Sequence, residues 1–166
     1  MIKQTGTKKE NYMHLAKRED IAALMENIQK VGTVRSIIDN PEIRAEIARH
    51  GFALDELVDD PDPQVRLAVA QQGYGLDILS EDTEWFVRAH IASRGYHLEQ
   101  FLHDDSPLVR QTVAAQGYGL DTLVHDPDPA VRQTVAMQGY GLEILINDPE
   151  PMIKDLAQRL KEQQEG

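Results

Sequence analysis

The chain has 166 residues, with 17 Lys or Arg against 28 Asp or Glu and a formal net charge of −11. That length suits one ordinary domain, and 41% hydrophobic residues are enough for a core and too many for a disordered chain. The absence of cysteine excludes disulfides, thiolate metal sites, iron–sulfur clusters and a cysteine nucleophile, and the acidic balance disfavours a general binder of nucleic acid or anionic membrane.

The start, Met1-Ile2-Lys3-Gln4-Thr5-Gly6, has no apolar signal core, and no apolar run approaches a membrane span, so a cytoplasmic protein with no membrane partner is expected. Met1–Asn11 is polar and basic and is expected to fray. A helix is predicted from about Arg18 to Lys30, with Ile21, Leu24, Met25 and Ile28 on one face, stopping near Gly32. Residues 1–37 thus read as a basic tail and capping helix, with seven bases and four acids.

From residue 38 the chain repeats every 22 residues. Arg44, Arg66, Arg88, Arg110 and Arg132 keep this period, and Lys154 continues the row. Gly51, Gly73, Gly95, Gly117 and Gly139 keep it too, as do the aromatics Phe52, Tyr74, Tyr96, Tyr118 and Tyr140. Leu57, Leu79, Phe101, Leu123 and Leu145 form a further row. The segments Asp104–His125 and Asp126–Asn147 share 14 of 22 residues. The unit reads D-P-D-P-x-V-R-x-x-V-A-x-Q-G-Y-G-L-x-x-L-V-x.

Each part of the unit has a physical role. Pro41, Pro63, Pro107, Pro129 and Pro151 suit a first helical turn, where the missing N–H costs nothing. The preceding acid, as in Asp62 or Asp128, can cap that helix. Val65, Val69 and Ala70 give one apolar face, and Gly73 fits the left-handed residue that ends it. Leu76 and Leu79, three apart, fit one turn of 3₁₀- or α-helix. There is no alternation of period two, so no sheet is expected.

Two short helices cannot bury their apolar faces alone, so the units should stack into an elongated α-solenoid. The alanine row Ala48, Ala70, Ala92, Ala114 and Ala136 marks where neighbouring helices should come closest. Residues 38–166 then hold five repeats and a partial sixth, which turns polar after Leu160 as a C-terminal cap should.

The D-P-D-P-x-V-R-x-x-V-A core followed by G-x-x-L-x-x-L resembles the leucine-rich repeat variant family over about residues 38–160, and more loosely short HEAT-like repeats. The resemblance implies a right-handed superhelix of alternating α- and 3₁₀-helices and a binding role without a defined reaction. Some members of that family carry a cysteine-bound iron–sulfur cluster, which a cysteine-free chain cannot hold. No cofactor is therefore expected.

Candidate sites follow from the rows and from the departures from them. The Arg row could track a phosphate backbone. The competing reading is a structural ladder with Asp60, Asp82, Asp104, Asp126 and Asp148, which keep the same period. Charge favours the ladder, because residues 38–166 hold 10 basic and 24 acidic residues and few bases remain once the row is set aside. Tyr74, Tyr118 and Tyr140 sit in G-Y-G triplets, and either form a recognition surface or pack between repeats. The third repeat breaks the pattern. Trp85 replaces Pro, Phe86 stands where Gln64, Leu108 and Ala130 stand elsewhere, Arg94 replaces Gln, and His97 replaces the second glycine. These four are a candidate hot spot for a protein partner. Gln72, Gln116 and Gln138 either line a ligand face or cap helix carbonyls. The histidines show no metal-ligand spacing, and no nucleophile–base motif occurs.

The expectation is therefore a non-catalytic scaffold binding a protein, a basic one by charge complementarity, along an acidic solenoid surface. Two alternatives are a HEAT-like nucleic-acid binder using the Arg row and an acidic inhibitor that mimics nucleic acid.

Overall fold

A computed structural model describes residues 18–30 and 32–165, which are helix and turn with no strand among them. The tail Met1–Asn11 lies outside the described residues. The chain divides into two compact units, Met1–Leu79 and Ser80–Gly166.

The first unit opens with α1 (Arg18–Ile28), which buries Ile21, Met25 and Ile28. A short helix that the pattern did not reveal, α2 (Val34–Ile37), starts at a capping box between Thr33 and Ser36. The Val34 N–H donates to Glu56 Oε2 at 2.9 Å. Repeat helices follow as α3 (Pro41–Arg49), α4 (Leu54–Leu57), α5 (Pro63–Gln71) and α6 (Leu76–Leu79). The second unit contains α7 (Trp85–Ser93), α8 (Leu98–Phe101), α9 (Pro107–Ala115), α10 (Leu120–Leu123), α11 (Pro129–Met137), α12 (Leu142–Leu145) and α13 (Pro151–Glu165). Long and short helices alternate in the register of the sequence rows.

The local code explains the ends of the long helices. Asn40, Asp62 and Asp128 accept hydrogen bonds from the N–H groups of Glu42, Gln64 and Ala130 at 2.8 Å, satisfying donors a helix start leaves open. At the far end Gly73, with φ of 76°, donates to Ala70 O at 2.9 Å while the Tyr74 N–H donates to Val69 O at 3.4 Å. This is a Schellman closure, and the tyrosine row supplies its outer residue.

A second left-handed residue then begins each short helix: Ala53, Gly75, His97, Gly119 and Gly141 all have φ between 51° and 64°. Packing adds a second demand for glycine here. A Cβ on Gly75 would lie 2.5 Å from Val58 Cγ2, one on Gly141 would lie 2.6 Å from Val124 Cγ2, and one on Gly119 would overlap Leu102. Seventeen residues before His97, where the other steps have Val58, Leu102 and Val124, stands the small, buried Ser80, so the one bulky side chain at this position in the second unit matches the one small residue in the partner row.

The short helices are single α-turns rather than the 3₁₀ turns implied by the resemblance. Leu57, Leu79, Phe101, Leu123 and Leu145 donate to the carbonyls four residues earlier at 2.9–3.0 Å. Bonds of the i→i+3 type occur at their ends, as from Asp60 to Leu57.

Within the first unit α3 packs on α5; within the second α7 packs on α9, α9 on α11, and α11 and α12 on α13. The apolar rows form the interiors. The residues Leu57, Leu79, Phe101, Leu123 and Leu145 are at most 1% exposed, and the alanine row is fully buried. Each large side chain buried this way contributes about 1.5–3 kcal/mol, far less per repeat than the cost of ordering 22 residues, so stability comes from stacking. Lys161 stands where a repeat would place its terminating glycine, and α13 accordingly runs on for 15 residues, burying Ile153 and Ala157.

Candidate functional site

The Arg row is built into the frame. Through Nε and Nη2, Arg44, Arg88, Arg110 and Arg132 grip Asp60, Asp104, Asp126 and Asp148 bidentately at 2.6–3.0 Å. The Nη1 of each reaches back to a carbonyl at the start of its own repeat: Ile38, Asp82, Asp104 and Asp126 accept at 2.6–2.9 Å. Arg66 Nη1 donates to Asp60 O at 2.7 Å in the same way. Each Asp also accepts the backbone N–H two residues on, as Asp126 does from Asp128 at 2.8 Å. One aspartate thus closes its own turn, receives an arginine from the repeat before, and offers its carbonyl to the arginine of its own repeat. Bidentate, charge-assisted bonds of this kind are the strong ones.

The electrostatics follow. Hydrogen bonding to the paired aspartate raises all four guanidiniums. The Arg132 guanidinium holds the Asp148 carboxyl below its ordinary value. His90 on α7 has a buried Nε2 without a hydrogen-bond partner, and desolvation, followed by the charge of Arg94, lowers it. Both groups bind a proton more readily unfolded than folded, so both make stability fall with acidification. The loss is expected to begin below the ordinary histidine value of 6.5 through His90, and to deepen below the ordinary carboxylate value of 3.8 through Asp148. Urea denaturation across pH should show both phases. His90→Thr, which restores the residue found at Thr112 and Thr134, should remove the first phase alone.

The glutamine row caps helix ends. Gln72, Gln116 and Gln138 donate from Nε2 to the carbonyls of Arg49, Ser93 and Ala115 at 2.9–3.2 Å, the last residues of the preceding long helices. This accounts for the row without a ligand.

The aromatic row is open to solvent. Tyr74 in the first unit, and Tyr96, Tyr118 and Tyr140 in the second, are 37–50% exposed. Tyr118 donates its hydroxyl to Glu99 of the short helix one repeat earlier, and that carboxylate raises the phenol. In the first unit Phe52 lies under the Arg18 guanidinium, 5.2 Å from ring centroid to Cζ. At the C-terminal end Lys161 Nζ sits 2.7 Å from Glu143 Oε2.

The third-repeat residues do not form one cluster. Trp85 and Phe86 meet edge to face with centroids 5.8 Å apart, Trp85 exposed and Phe86 half-buried. His97 places its ring against Phe101, 6.3 Å away, and Arg94 is exposed beside it in sequence. The nine-residue α7 separates the two pairs by about 13 Å at the helical rise of ~1.5 Å per residue. Their shared repeat suggested proximity, but they stand at opposite ends of one helix. Trp85 instead walls an open cleft of about 710 Å³ with His103, Asp104 and Asp105. His125 lines the next cleft along. No group of three or more histidine or acidic residues able to hold a metal occurs among the described residues. None of the described helices is long and apolar enough to cross a membrane.

No family model, curated protein or solved structure matches the chain.

Proposed function

We propose that this chain is a non-catalytic repeat scaffold, a right-handed α-solenoid of the leucine-rich repeat variant kind, that binds a protein along an acidic surface in the cytoplasm. The observation supporting it is the fate of the arginines. Arg44, Arg88, Arg110 and Arg132 commit their donors to aspartates and carbonyls, so the cations a phosphate backbone would need are already neutralised. Outside the ladder, acids such as Glu99, Asp121 and Glu143 face solvent. A rigid stack with such a surface selects basic partners, and its charge speeds encounter.

Crosslinking capture from the native cell with mass spectrometry tests this. A protein partner is expected, and its recovery should collapse when the exposed acids are reversed to lysine. Recovery unchanged by charge reversal would contradict the proposal. A gel shift with duplex DNA at low salt separates the competing reading: none is expected, and a shift abolished by Arg110→Ala with Arg132→Ala would move the function to the arginine row.

A further inference from the structure

We infer that the tyrosine row of the second unit and the acids beside it form a cation-accepting track for an extended, arginine- or lysine-rich segment of a partner protein. This deepens the acidic-surface reading and rests on it.

The chain itself fills both halves of such a site with its own cations. Phe52, the first aromatic of the row, carries the Arg18 guanidinium over its face at 5.2 Å, a cation–π geometry. Glu143, an acid of the short-helix row, holds the Lys161 ammonium at 2.7 Å while remaining largely exposed. Between repeats, Tyr118 reaches Glu99 directly, so the aromatic of one repeat and the acid of the repeat before are neighbours. In the second unit the same register sets Tyr140 beside Asp121 as Tyr118 stands beside Glu99, while Tyr96 and Glu143 extend the two rows at either end; all six are solvent-exposed.

The repeat sets the spacing. Helices pack roughly 8–10 Å apart, and an extended chain advances about 3.3 Å per residue. A cation at every third residue of an extended segment therefore meets one tyrosine–acid step per repeat. Each tyrosine is also the outer residue of a Schellman closure, which fixes its backbone, so little order has to be gained on binding. The Asp ladder lies at the other end of the long helices and keeps its carboxylates on arginine, whereas the acids beside the tyrosines are exposed and, as Glu143 does with Lys161, take up a cation at the surface.

The test is fluorescence anisotropy of a labelled peptide of repeated Arg-Ser-Gly triplets with the intact protein at low salt. Binding is expected. It should weaken about tenfold or more when Tyr96, Tyr118 and Tyr140 are all changed to Leu, the summed loss of three exposed cation–π contacts, and persist when they are changed to Phe. Glu99→Gln with Asp121→Asn and Glu143→Gln should weaken it comparably. Glu81→Gln with Asp105→Asn and Glu150→Gln, which removes the same charge at the ladder end, should leave it nearly unchanged. A peptide of the same composition with its arginines bunched should bind more weakly. Equal losses from the two sets of charge variants, or equal affinity for the bunched peptide, would overturn the track while leaving a diffuse acidic surface. No binding by the unmodified protein would overturn the track and the basic-partner reading together. Circular dichroism of each variant, and the retained binding of the Phe variant, separate these results from loss of fold.

Discussion

Replacing Asp126 with alanine is expected to destabilise the second unit by about 3–5 kcal/mol, the typical cost of stranding one member of a desolvated ion pair. Asp126 is 6% exposed. It accepts two bonds from Arg110 and one from the Asp128 N–H. The substitution leaves three donors without their acceptor and one cation without its counterion. The double change Arg110→Met with Asp126→Leu should be far milder than the single one, since apolar pairs of similar volume often replace buried ion pairs at little cost. Urea-denaturation midpoints for the single and double variants would read this. A loss under about 1 kcal/mol for Asp126→Ala would mean that the pair behaves as a solvated surface bridge.

The second large effect is expected at Gly119. Its φ of 60° costs any L-residue about 1–2 kcal/mol, and a Cβ there would overlap Leu102, adding about 1–3 kcal/mol of overpacking. Gly117 separates the two causes. It has a φ of 73°, but a Cβ there would meet nothing within 4 Å, so Gly117→Ala should show the conformational cost alone. The natural exception supplies a complementary test. Ser80→Leu should be costly while His97 is present and tolerated once His97 is changed to Gly, a coupling read from the double-mutant cycle. Equal costs at Gly117 and Gly119 would show that Leu102 yields, and that backbone conformation alone selects glycine here.

The repeat was legible because each of its rows has a local physical cause. Proline fits only the first turn, glycine the left-handed exit, and Val65 with Val69 one helical face; none needs a distant partner to be read. The common period of Arg and Asp suggested pairing, but a period fits every neighbour equally. That Arg110 skips the acids of its own repeat for Asp126, while using the Asp104 carbonyl, is a property of the three-dimensional register. The helix at Val34–Ile37 escaped notice because four residues carry no periodicity and its capping box uses Ser36 where Glu or Gln is the usual signal. Trp85 and His97 looked like neighbours because they depart from the pattern in one repeat, yet a nine-residue helix keeps them apart. The Arg18–Phe52 and Lys161–Glu143 contacts use cations that lie outside the repeated rows, so no register placed them.

Hydrogen–deuterium exchange of the intact protein, with and without the Arg-Ser-Gly peptide, tests the location of the binding surface most directly. Protection confined to residues 94–101, 116–123 and 138–145, which carry the tyrosines and short-helix acids of the second unit, is the expected result. Protection centred instead on residues 103–106 and 125–128, where the aspartate ladder turns, would contradict it.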